Sequence, residues 1–307
     1  MIDQIVFGTR GSSLALLQTD SVIAKLKVLY PDILYKRKVI ETQGDRDQNS
    51  SLTLTEELGL FSYEIQSELV KNNIDTAVHS LKDVPVEYSE DLFLAAIPER
   101  VDAKDVLYHP GCLNINDLPT GSVVGTCSLR RRGQIRNLRK DIEIKDIRGN
   151  IQTRIDKVHS GEYDAIILAA AGLIRSGHDI SRYYVFNFDE IIPAPGQGAL
   201  AVETLRNNEK LIQMISRIDN LNIRKAVEVE RSILKHIGSG CSVPVGVFAS
   251  AVDDGLDIVA CHADPDSGYK TVVRRQNLKG QADQIAEEIS DILLSVLDEN
   301  IADEYRV

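Results

Sequence analysis

Basic side chains that could bind an anion are concentrated in one stretch of this chain, residues 130–157. That stretch contains ten Lys and Arg residues against four Asp and Glu, whereas the whole chain carries a formal net charge of −11. Charge packed this unevenly indicates a focused anion site, because such a cluster attracts and concentrates counter-ions. A solvated helix face would give the same composition, and charge alone does not separate the two interpretations.

Two segments of this stretch place arginines where a predicted strand meets a predicted helix. The first is Gly125–Arg131, in which Ser128 is the predicted N-cap, and the second is Arg148–Asn150, with Arg154 one turn further on. Free backbone N–H groups at a helix N-terminus bind anions, and arginines in a first turn oppose the helix dipole unless something negative lies nearby. The repetition favours a shared carboxylate or phosphate site over surface decoration.

A second set of reactive side chains, His79, Lys82 and Asp83, lies at the end of a buried-looking strand within Ala77–Pro85. Catalytic groups in open α/β sheets gather at such strand ends. From the residues alone, a plain surface ion pair between Lys82 and Asp83 is a slightly better explanation than catalysis. His79 by itself is interpreted as a structural histidine.

One cysteine, Cys241, lies in a loop that glycines keep open, Gly238–Pro244. Most isolated cysteines are buried packing residues, but glycine and serine neighbours favour an accessible sulfur, hence a covalent attachment point or a nucleophile. The four cysteines are scattered without a Cys-x-x-Cys pair, which predicts free thiols. The sequence has no dinucleotide loop, Walker motif or zinc-binding pattern, and no metal site is expected.

Composition and charge narrow the class of protein. The hydrophobic fraction of 43% and charged fraction of 26% are ordinary for a globular domain. The longest apolar run, residues 165–174, is too short for a membrane span, and the N-terminus lacks a signal-peptide pattern. The acidic net charge argues against general affinity for nucleic acid or anionic lipid. We therefore expect a cytoplasmic protein that binds neither nucleic acid nor membrane.

Strand and helix patterns alternate along most of the chain, which predicts α/β layers. Residues 5–7 read as a strand and residues 14–30 as an amphipathic helix, and the alternation continues to about residue 175. The C-terminal part differs, since three closely spaced strands between residues 245 and 275 lead to an amphipathic helix. Residues 98–105 and 193–198 are the predicted places where the chain passes between lobes.

The motifs, in their order along the chain, resemble the porphobilinogen deaminase (hydroxymethylbilane synthase) family. The resemblance covers residues 9–246 and matches the family in style only beyond them. Its segments are Thr9–Ser12 with Leu14–Leu16, Thr42–Asp45, Ala77–Pro85, Gly125–Arg131, Arg148–Asn150 with Thr153 and Arg154, Gly161–Leu173 with Arg175, Pro195–Ala199, and Gly240–Cys241 with Pro244.

The resemblance implies an α/β fold of three domains. The first two are expected to be similar to a periplasmic-binding-protein pair with a cleft between them, and the third to be a small α+β domain that carries Cys241. The boundaries predicted are residues 1–98 plus 199–218, residues 99–198, and residues 219–307. A monomer is expected.

The resemblance also implies a transferase that acts in tetrapyrrole and heme biosynthesis. Four porphobilinogen molecules would add head to tail to a dipyrromethane cofactor held by a thioether to Cys241, each losing ammonia. Hydrolysis would then release hydroxymethylbilane. Asp83 would be catalytic, lying by the pyrrole nitrogens of the cofactor and substrate, where it could stabilise the cationic azafulvene and assist proton transfers.

The remaining residues that match the family motifs are expected to bind carboxylates. Arginine forks suit the acetate and propionate groups that every ring carries. The expected substrate-binding residues are Arg10, Ser12, Arg148, Arg154 and Arg175. The expected cofactor-binding residues, besides Cys241 and Asp83, are Lys82, Ser128, Arg130 and Arg131.

This chain departs from the family at one loop. The family usually has Gly-Gly-Lys-Gly-Leu-Phe where this chain has Glu56–Phe61, so that Leu58 replaces a lysine. Cys127 replaces a serine. This altered loop leaves open a divergent paralogue that binds pyrroles without turnover. The other alternative to the enzyme is a two-lobed protein that binds a small anion.

Overall fold

The first lobe is built around the strand β1 (Gln4–Thr9), which pairs in parallel with a neighbour on each side. The computed structural model describes residues 2–42, 62–87, 89–111, 113–238 and 243–304. In the order across the sheet, the five strands are β2 (Leu34–Val39), β1, β3 (Thr76–Ser80), β10 (Leu200–Leu205) and β4 (Leu92–Ala96). Strand β10 is antiparallel to both of its neighbours.

The second lobe repeats this pattern of order and direction. Its five strands are β7 (Glu143–Lys145), β6 (Val123–Gly125), β8 (Ala165–Ala169), β5 (Asp105–Tyr108) and β9 (Tyr184–Val185). The two pairs formed by β6 are parallel, and β5 is antiparallel to its neighbours. The antiparallel strands β5 and β10 occupy equivalent places along the chain. Strand β5 is the first strand after the chain enters the second lobe, and β10 is the first strand after it returns to the first lobe. The predicted two-lobed α/β architecture is therefore confirmed.

Helices cover the two sheets. On the first lobe lie α1 (Ser13–Leu29), α2 (Tyr63–Val70) and α6 (Glu209–Ile215), and on the second α3 (Leu129–Leu138), α4 (Ile151–His159) and α5 (Ala170–Arg175). Helix α1 ends before Tyr30, because the residue before Pro31 is pushed out of the helical region. Its buried Val22 and Leu26 pack with Phe7 in the core of the first lobe.

The third unit differs in style from the lobes, as predicted. It consists of α7 (Leu221–Gly238), the antiparallel strands β11 (Val245–Val252), β12 (Gly255–Ala263) and β13 (Lys270–Leu278), and α8 (Ala282–Glu304). Alternate strand residues pack against the two helices in one apolar core. The three sheets confirm the predicted fold class, while the exact domain boundaries stay a prediction. Among the described residues, no helix has both the length and the apolar character to cross a membrane.

Helix α3 has few apolar residues, and its buried face is unusual. Arg130, Arg131, Gln134 and Ile135 are all buried there. Gly133 on the same helix faces the third unit so closely that an added Cβ would overlap the carbonyl group of Ala263. This contact joins α3 to β12, and the missing side chain lets the two backbones approach.

We predict that Gly133→Ala destabilises the protein by about 1–3 kcal/mol, because a methyl group has no room between α3 and β12. Urea denaturation of the purified protein measures this change. In the control variant Gly111→Ala, the added methyl would meet the side chain of His109, which can turn away, so a change below about 0.5 kcal/mol is expected. Equal stability of Gly133→Ala and the parent would show that α3 can move away from β12.

Candidate functional site

The carboxyl ends of β1 and β3 meet at one edge of the first sheet, because the two strands are parallel neighbours. A cavity of about 70 Å³ lies at this edge. Three of the predicted site residues, Arg10, Ser12 and Asp83, line it. The other lining residues are Leu14, Ala15, Gln18, Ser62, Val78, His79 and Ser80. The fold therefore brings together residues that lie more than 70 positions apart in the sequence.

The N-terminus of α1 forms one wall of this cavity. Ser12 is its N-cap and accepts a hydrogen bond from the Ala15 N–H at 3.3 Å. One turn further on, the buried Gln18 donates to the hydroxyl of Ser80 at 2.9 Å. Because the first N–H groups of a helix lack partners within the helix, this wall favours negatively charged ligands.

The consecutive residues Lys82 and Asp83 point to different surroundings. Both belong to a single 3₁₀ turn, Leu81–Asp83, that follows β3. Asp83 lines the cavity, whereas the Nζ atom of Lys82 lies 3.5 Å from the side-chain oxygen of Gln197. No ion pair within 4 Å joins Lys82 to Asp83 among the described contacts, so the surface ion pair considered from the sequence is not formed. Burial lowers the pKa of Lys82, and the charge of Asp83 opposes this effect.

Asp105, the first residue of β5, is fully buried between two guanidinium groups. Arg130 donates to its Oδ2 at 2.7 Å, and Arg131 donates to its Oδ1 from Nε at 3.1 Å and from a terminal nitrogen at 2.7 Å. Burial alone would raise the pKa of Asp105. The charges of Arg130 and Arg131 outweigh burial and hold that pKa well below its ordinary value, so the carboxylate is ionised at neutral pH.

Both strand-to-helix junctions singled out in the sequence exist and lie side by side. Strands β6 and β7 are parallel neighbours, and α3 and α4 follow them. Ser128 caps α3 by accepting from the Arg131 N–H at 3.4 Å, and Asn150 caps α4 by accepting from the Thr153 N–H at 2.9 Å. Arg148 and Arg154 flank the second junction, and Arg154 Nε donates to the carbonyl group of Gly149 at 2.8 Å.

Arg175 lies apart from the residues that line the cavity. It ends α5, and its guanidinium group donates to the carbonyl oxygen of Gly198 at 2.9 Å and to Glu99 at 3.3 Å. Glu99 also pairs with Lys25 of α1 at 3.3 Å. Burial lowers the pKa of Arg175, and Glu99 opposes this effect. Arg175 therefore contacts the segments that connect the lobes.

His79 is buried, as expected of a structural histidine. Its Nε2 lies 3.0 Å from Oε2 of Glu203, which is fully buried on β10. This Nε2 atom has no hydrogen-bond partner among the described residues. Gln66 of α2 donates to both oxygens of Glu203 at 3.2 Å.

The sequence did not single out two residues that organise the site, Asp105 and Gln197. Asp105 ends a segment interpreted only as a connection between lobes, and Gln197 lies in the other such segment. One signal was available, since two consecutive arginines in the first turn of a helix oppose its dipole and predict a negative group nearby. Cys241 and the loop Glu56–Phe61 lie outside the described residues.

Two lobes of the same strand order, with cationic side chains directly after several strand ends, define a class of two-lobed α/β proteins. Comparison with solved structures finds a similarity to a putative methionine-binding lipoprotein from Bacillus subtilis. The TM-score is 0.44 at 12% identity, and the match covers 72% of this chain and 92% of that one.

Sequence comparison identifies the particular family. Residues 5–213 match the family model described as "Porphobilinogen deaminase, dipyromethane cofactor binding domain", and residues 224–295 match "Porphobilinogen deaminase, C-terminal domain". Porphobilinogen deaminase from Geobacillus kaustophilus is 45% identical, and the match covers 88% of both chains. The enzyme from Natranaerobius thermophilus is 43% identical over 87% of this chain and 86% of its own. The chain belongs to the porphobilinogen deaminase family.

This membership confirms the family, the transferase class and the dipyrromethane-binding domain that the motifs predicted. The match extends to residue 295, so the C-terminal part, similar only in style when the sequence was considered alone, belongs to the same family. Nothing in the comparisons favours either alternative, the paralogue without turnover or the small-anion binding protein. The roles of individual residues stay predictions.

We predict that Asp105→Asn destabilises the protein by about 3–5 kcal/mol, because it leaves Arg130 and Arg131 buried without a full counter-charge. The folded-state pKa of Asp105 is depressed, so its pairing stabilises the parent above the unfolded pKa of about 3.9 and is lost only as the pH falls through the lower, folded value. The deficit should therefore be constant from pH 5 to pH 8. Urea denaturation across this range measures it.

Asp146→Asn is the matched control, because Asp146 pairs at 2.7 Å with the neighbouring Arg132 but has a side chain that is 69% exposed. Less than about 1 kcal/mol should be lost there. If Asp105→Asn and Asp146→Asn lower the free energy of unfolding by the same amount, burial does not make the Asp105 ion pairs more important for stability than the exposed one.

Proposed function

We propose that this chain joins four porphobilinogen molecules head to tail on a dipyrromethane cofactor, with loss of ammonia at each addition, and then releases hydroxymethylbilane by hydrolysis. Family membership supports the reaction class, because relatives that match most of the chain are named for it. One structural observation carries the assignment to this site: Asp83 lines a cavity that is also lined by a helix N-terminus with Arg10 and Ser12.

The side chains behind the turn that carries Asp83 fit a cofactor that bears carboxylates. Lys82 lies close to the buried arginine pair of α3, and the Ser128 cap opens the same helix. Three positive charges, Lys82, Arg130 and Arg131, stand against two carboxylates, the buried Asp105 and the neighbouring Asp83, so a net positive charge is left for anionic ligand groups. We assign Lys82, Ser128, Arg130 and Arg131 to the carboxylates of the cofactor. When bound, the dipyrromethane supplies the pyrrole carbon to which the first substrate is joined.

We assign the covalent attachment of the cofactor to Cys241. The thiol sulfur forms a bond to a pyrrole methylene carbon, the carbon–nitrogen bond of that methylene breaks, and ammonia departs with the thiol proton. The motif supports this assignment, since Cys241 is the one cysteine set between glycines and serines. Of the cysteines that the structure describes, Cys127 and Cys261, neither forms a disulfide, and Cys261 is fully buried.

Asp83 is assigned as the catalytic residue. Loss of ammonia from porphobilinogen leaves a positive charge spread over the pyrrole ring, and a fixed carboxylate beside the ring nitrogen stabilises that charge as it develops. The same oxygen atoms can accept and return the proton of the ring as the new bond forms. The position of Asp83 at a strand end, on a short turn held by the backbone bond from the Val84 N–H to the Leu81 carbonyl group, keeps the carboxylate in place.

The substrate carboxylates are assigned to Arg10 and Ser12 on the first lobe and to Arg148, Arg154 and Arg175 on the second. Both lobes therefore contribute, and each added ring brings two more carboxylates that need cationic partners. Contact between Arg175 and the connecting segments supports a role in the movement of the lobes in addition to binding. We also propose a monomer, because all of these residues belong to one chain, and we keep the cytoplasmic location that the sequence predicts.

The reaction itself is tested by incubating the purified protein with porphobilinogen, oxidising the mixture and recording uroporphyrin fluorescence. Fluorescence that grows in proportion to protein and time is the expected result. A protein that binds porphobilinogen without forming uroporphyrin would instead be the paralogue without turnover.

We predict that the intact mass of the protein from cells that make porphobilinogen exceeds the chain mass by a two-pyrrole adduct, which Cys241→Ser removes. Electrospray mass spectrometry measures the adduct. Cys127→Ser is the matched control and should retain it, because the family usually has serine at this position. An unmodified mass in the parent, with no colour in the test for pyrroles, would contradict the attachment.

We predict that Asp83→Asn keeps the fold and the adduct but lowers the rate of ring addition by roughly 100- to 1,000-fold, because the amide cannot stabilise a developing cation as a carboxylate does. Single-turnover kinetics measures this rate. Asp75→Asn is the control at the other end of β3, where the Asp75 carboxylate accepts from the Val6 N–H at 2.7 Å. A rate within a few-fold of the parent for Asp83→Asn would assign Asp83 a structural role only.

A further inference from the structure

Gln197 lies in the second segment that connects the lobes, and its side chain is only 1% exposed. The side-chain amide nitrogen donates to Oδ1 of Asp105 at 2.9 Å and to the carbonyl oxygen of Ala103 at 2.6 Å. The side-chain oxygen faces Nζ of Lys82 at 3.5 Å. One uncharged side chain thus contacts the counter-ion of the arginine pair and the neighbouring lysine.

These contacts come from different lobes. Lys82 follows β3 of the first sheet, while Asp105 begins β5 of the second and holds Arg130 and Arg131. Among the described hydrogen bonds, that of Gln197 is the one that joins Lys82 to this group. The distance between the lysine and the arginine pair therefore depends on where Gln197 is held.

The backbone around Gln197 is held tightly. Its carbonyl oxygen accepts from Nε of Arg100 at 3.0 Å, and the N–H of Gly196 donates to the buried carboxylate of Glu230 at 2.7 Å. The flanking Gly196 and Gly198 have φ angles of +74° and +88°, a region that side chains disfavour. Arg175 donates to the carbonyl oxygen of Gly198 at 2.9 Å. The direction of the Gln197 side chain is thus fixed by the connecting segment.

We propose that Gln197 is a positioning residue that sets the spacing between Lys82 on one lobe and the Arg130–Arg131 pair on the other. A shift of the connecting segment would therefore move Gln197 and change the distance between the cations that bind the carboxylates. The inference rests on the proposed function in one respect, namely that these three cations hold the carboxylates of the cofactor. An apolar side chain of the same length would fill the space but would leave both lobes without this link.

The first test measures the link without any turnover. A lysine-specific acylating reagent, applied to the holoenzyme over a range of pH, is followed at Lys82 by peptide mass spectrometry. The charged groups that face this lysine are Asp83 on its own turn, Asp105 on β5, and Arg130 and Arg131 on α3. The midpoint of labelling should fall in Gln197→Met, which removes the facing oxygen dipole, and should rise in Gln197→Glu, which adds a negative charge.

Gln134→Met is the matched control for loss of a buried amide. Gln134 is also fully buried and bonds only backbone groups: it donates to the carbonyl oxygens of Ile192 at 3.0 Å and Arg130 at 3.3 Å and accepts from the Ile192 N–H at 2.7 Å. Among the described contacts it touches neither Lys82 nor the side chain of Asp105. In Gln134→Met, the pH midpoint of Lys82 labelling should equal that of the parent. A midpoint that is unchanged in both Gln197 variants would overturn the proposal.

The second test compares steady-state kinetics with thermal stability. Gln197→Met should lower kcat/KM by about tenfold or more, the loss expected for a hydrogen bond to a charged group, while the two-pyrrole adduct is retained. Gln134→Met should keep kcat/KM within about threefold of the parent, although its Tm falls about as much as that of Gln197→Met. Gln197→Asn keeps the amide but draws it back by one methylene, and should lie between Gln197→Met and the parent.

Equal kinetic losses in Gln197→Met and Gln134→Met would show that Gln197 is structural only. If the parent makes no product from porphobilinogen, the proposed function fails, yet the labelling midpoints still decide whether Gln197 links Lys82 to the second lobe. Should Gln197→Met not fold, the labelling of Gln197→Glu and Gln197→Asn decides the same point.

Discussion

The buried carboxylate of Asp105 is the group on which the buried arginine pair of α3 depends. A fully buried negative charge is tolerable only because two guanidinium groups and one amide donate to it. The dependence is mutual, since Arg130 and Arg131 could not be buried on α3 without this partner. Helix α3 therefore packs onto its sheet through an ion pair as much as through Ile135 and its other apolar contacts.

This arrangement reconciles burial with ligand binding. Two arginines and Lys82 stand against the carboxylates of Asp105 and Asp83, so the cluster keeps a net positive charge after its own stabilisation. Groups of this kind are already desolvated and held in place before an anionic ligand arrives, and preorganised groups lose little entropy on binding. The cavity on the first lobe complements the cluster with a carboxylate, Asp83, which suits a ligand whose rings become cationic while their substituents stay anionic.

The connecting segments are part of the site. Gly198 allows a close approach to the carbonyl oxygen of Val101, where a Cβ would not fit, so the two segments run side by side between the lobes. Arg100 binds Glu230 of α7 at 2.7 Å and thereby ties the third unit to the same place. Movement of one lobe against the other would therefore act on α7, on Gln197 and on the cation cluster together.

Much of this molecule could be predicted from the sequence. Strands and helices follow local patterns of apolar residues and caps, such as Ser128 before α3. These patterns involve residues that are close together in the sequence, so they can be recognised without the structure. The motifs from Thr9 to Pro244 were sufficient to identify the family, and they placed Asp83 at a strand end. Features of this kind depend on neighbouring residues, so they can be predicted without knowing which distant segments contact each other.

Only the tertiary structure decided which charges are partners. Asp105 lies 25 positions from Arg130, and Gln197 lies 115 positions from Lys82, so no local pattern joins them. Lys82 and Asp83 are adjacent in the chain, yet they face different groups because a short turn separates their directions. Pairing between distant side chains depends on how the sheets place the ends of their strands, and this depends on the packing of the whole chain.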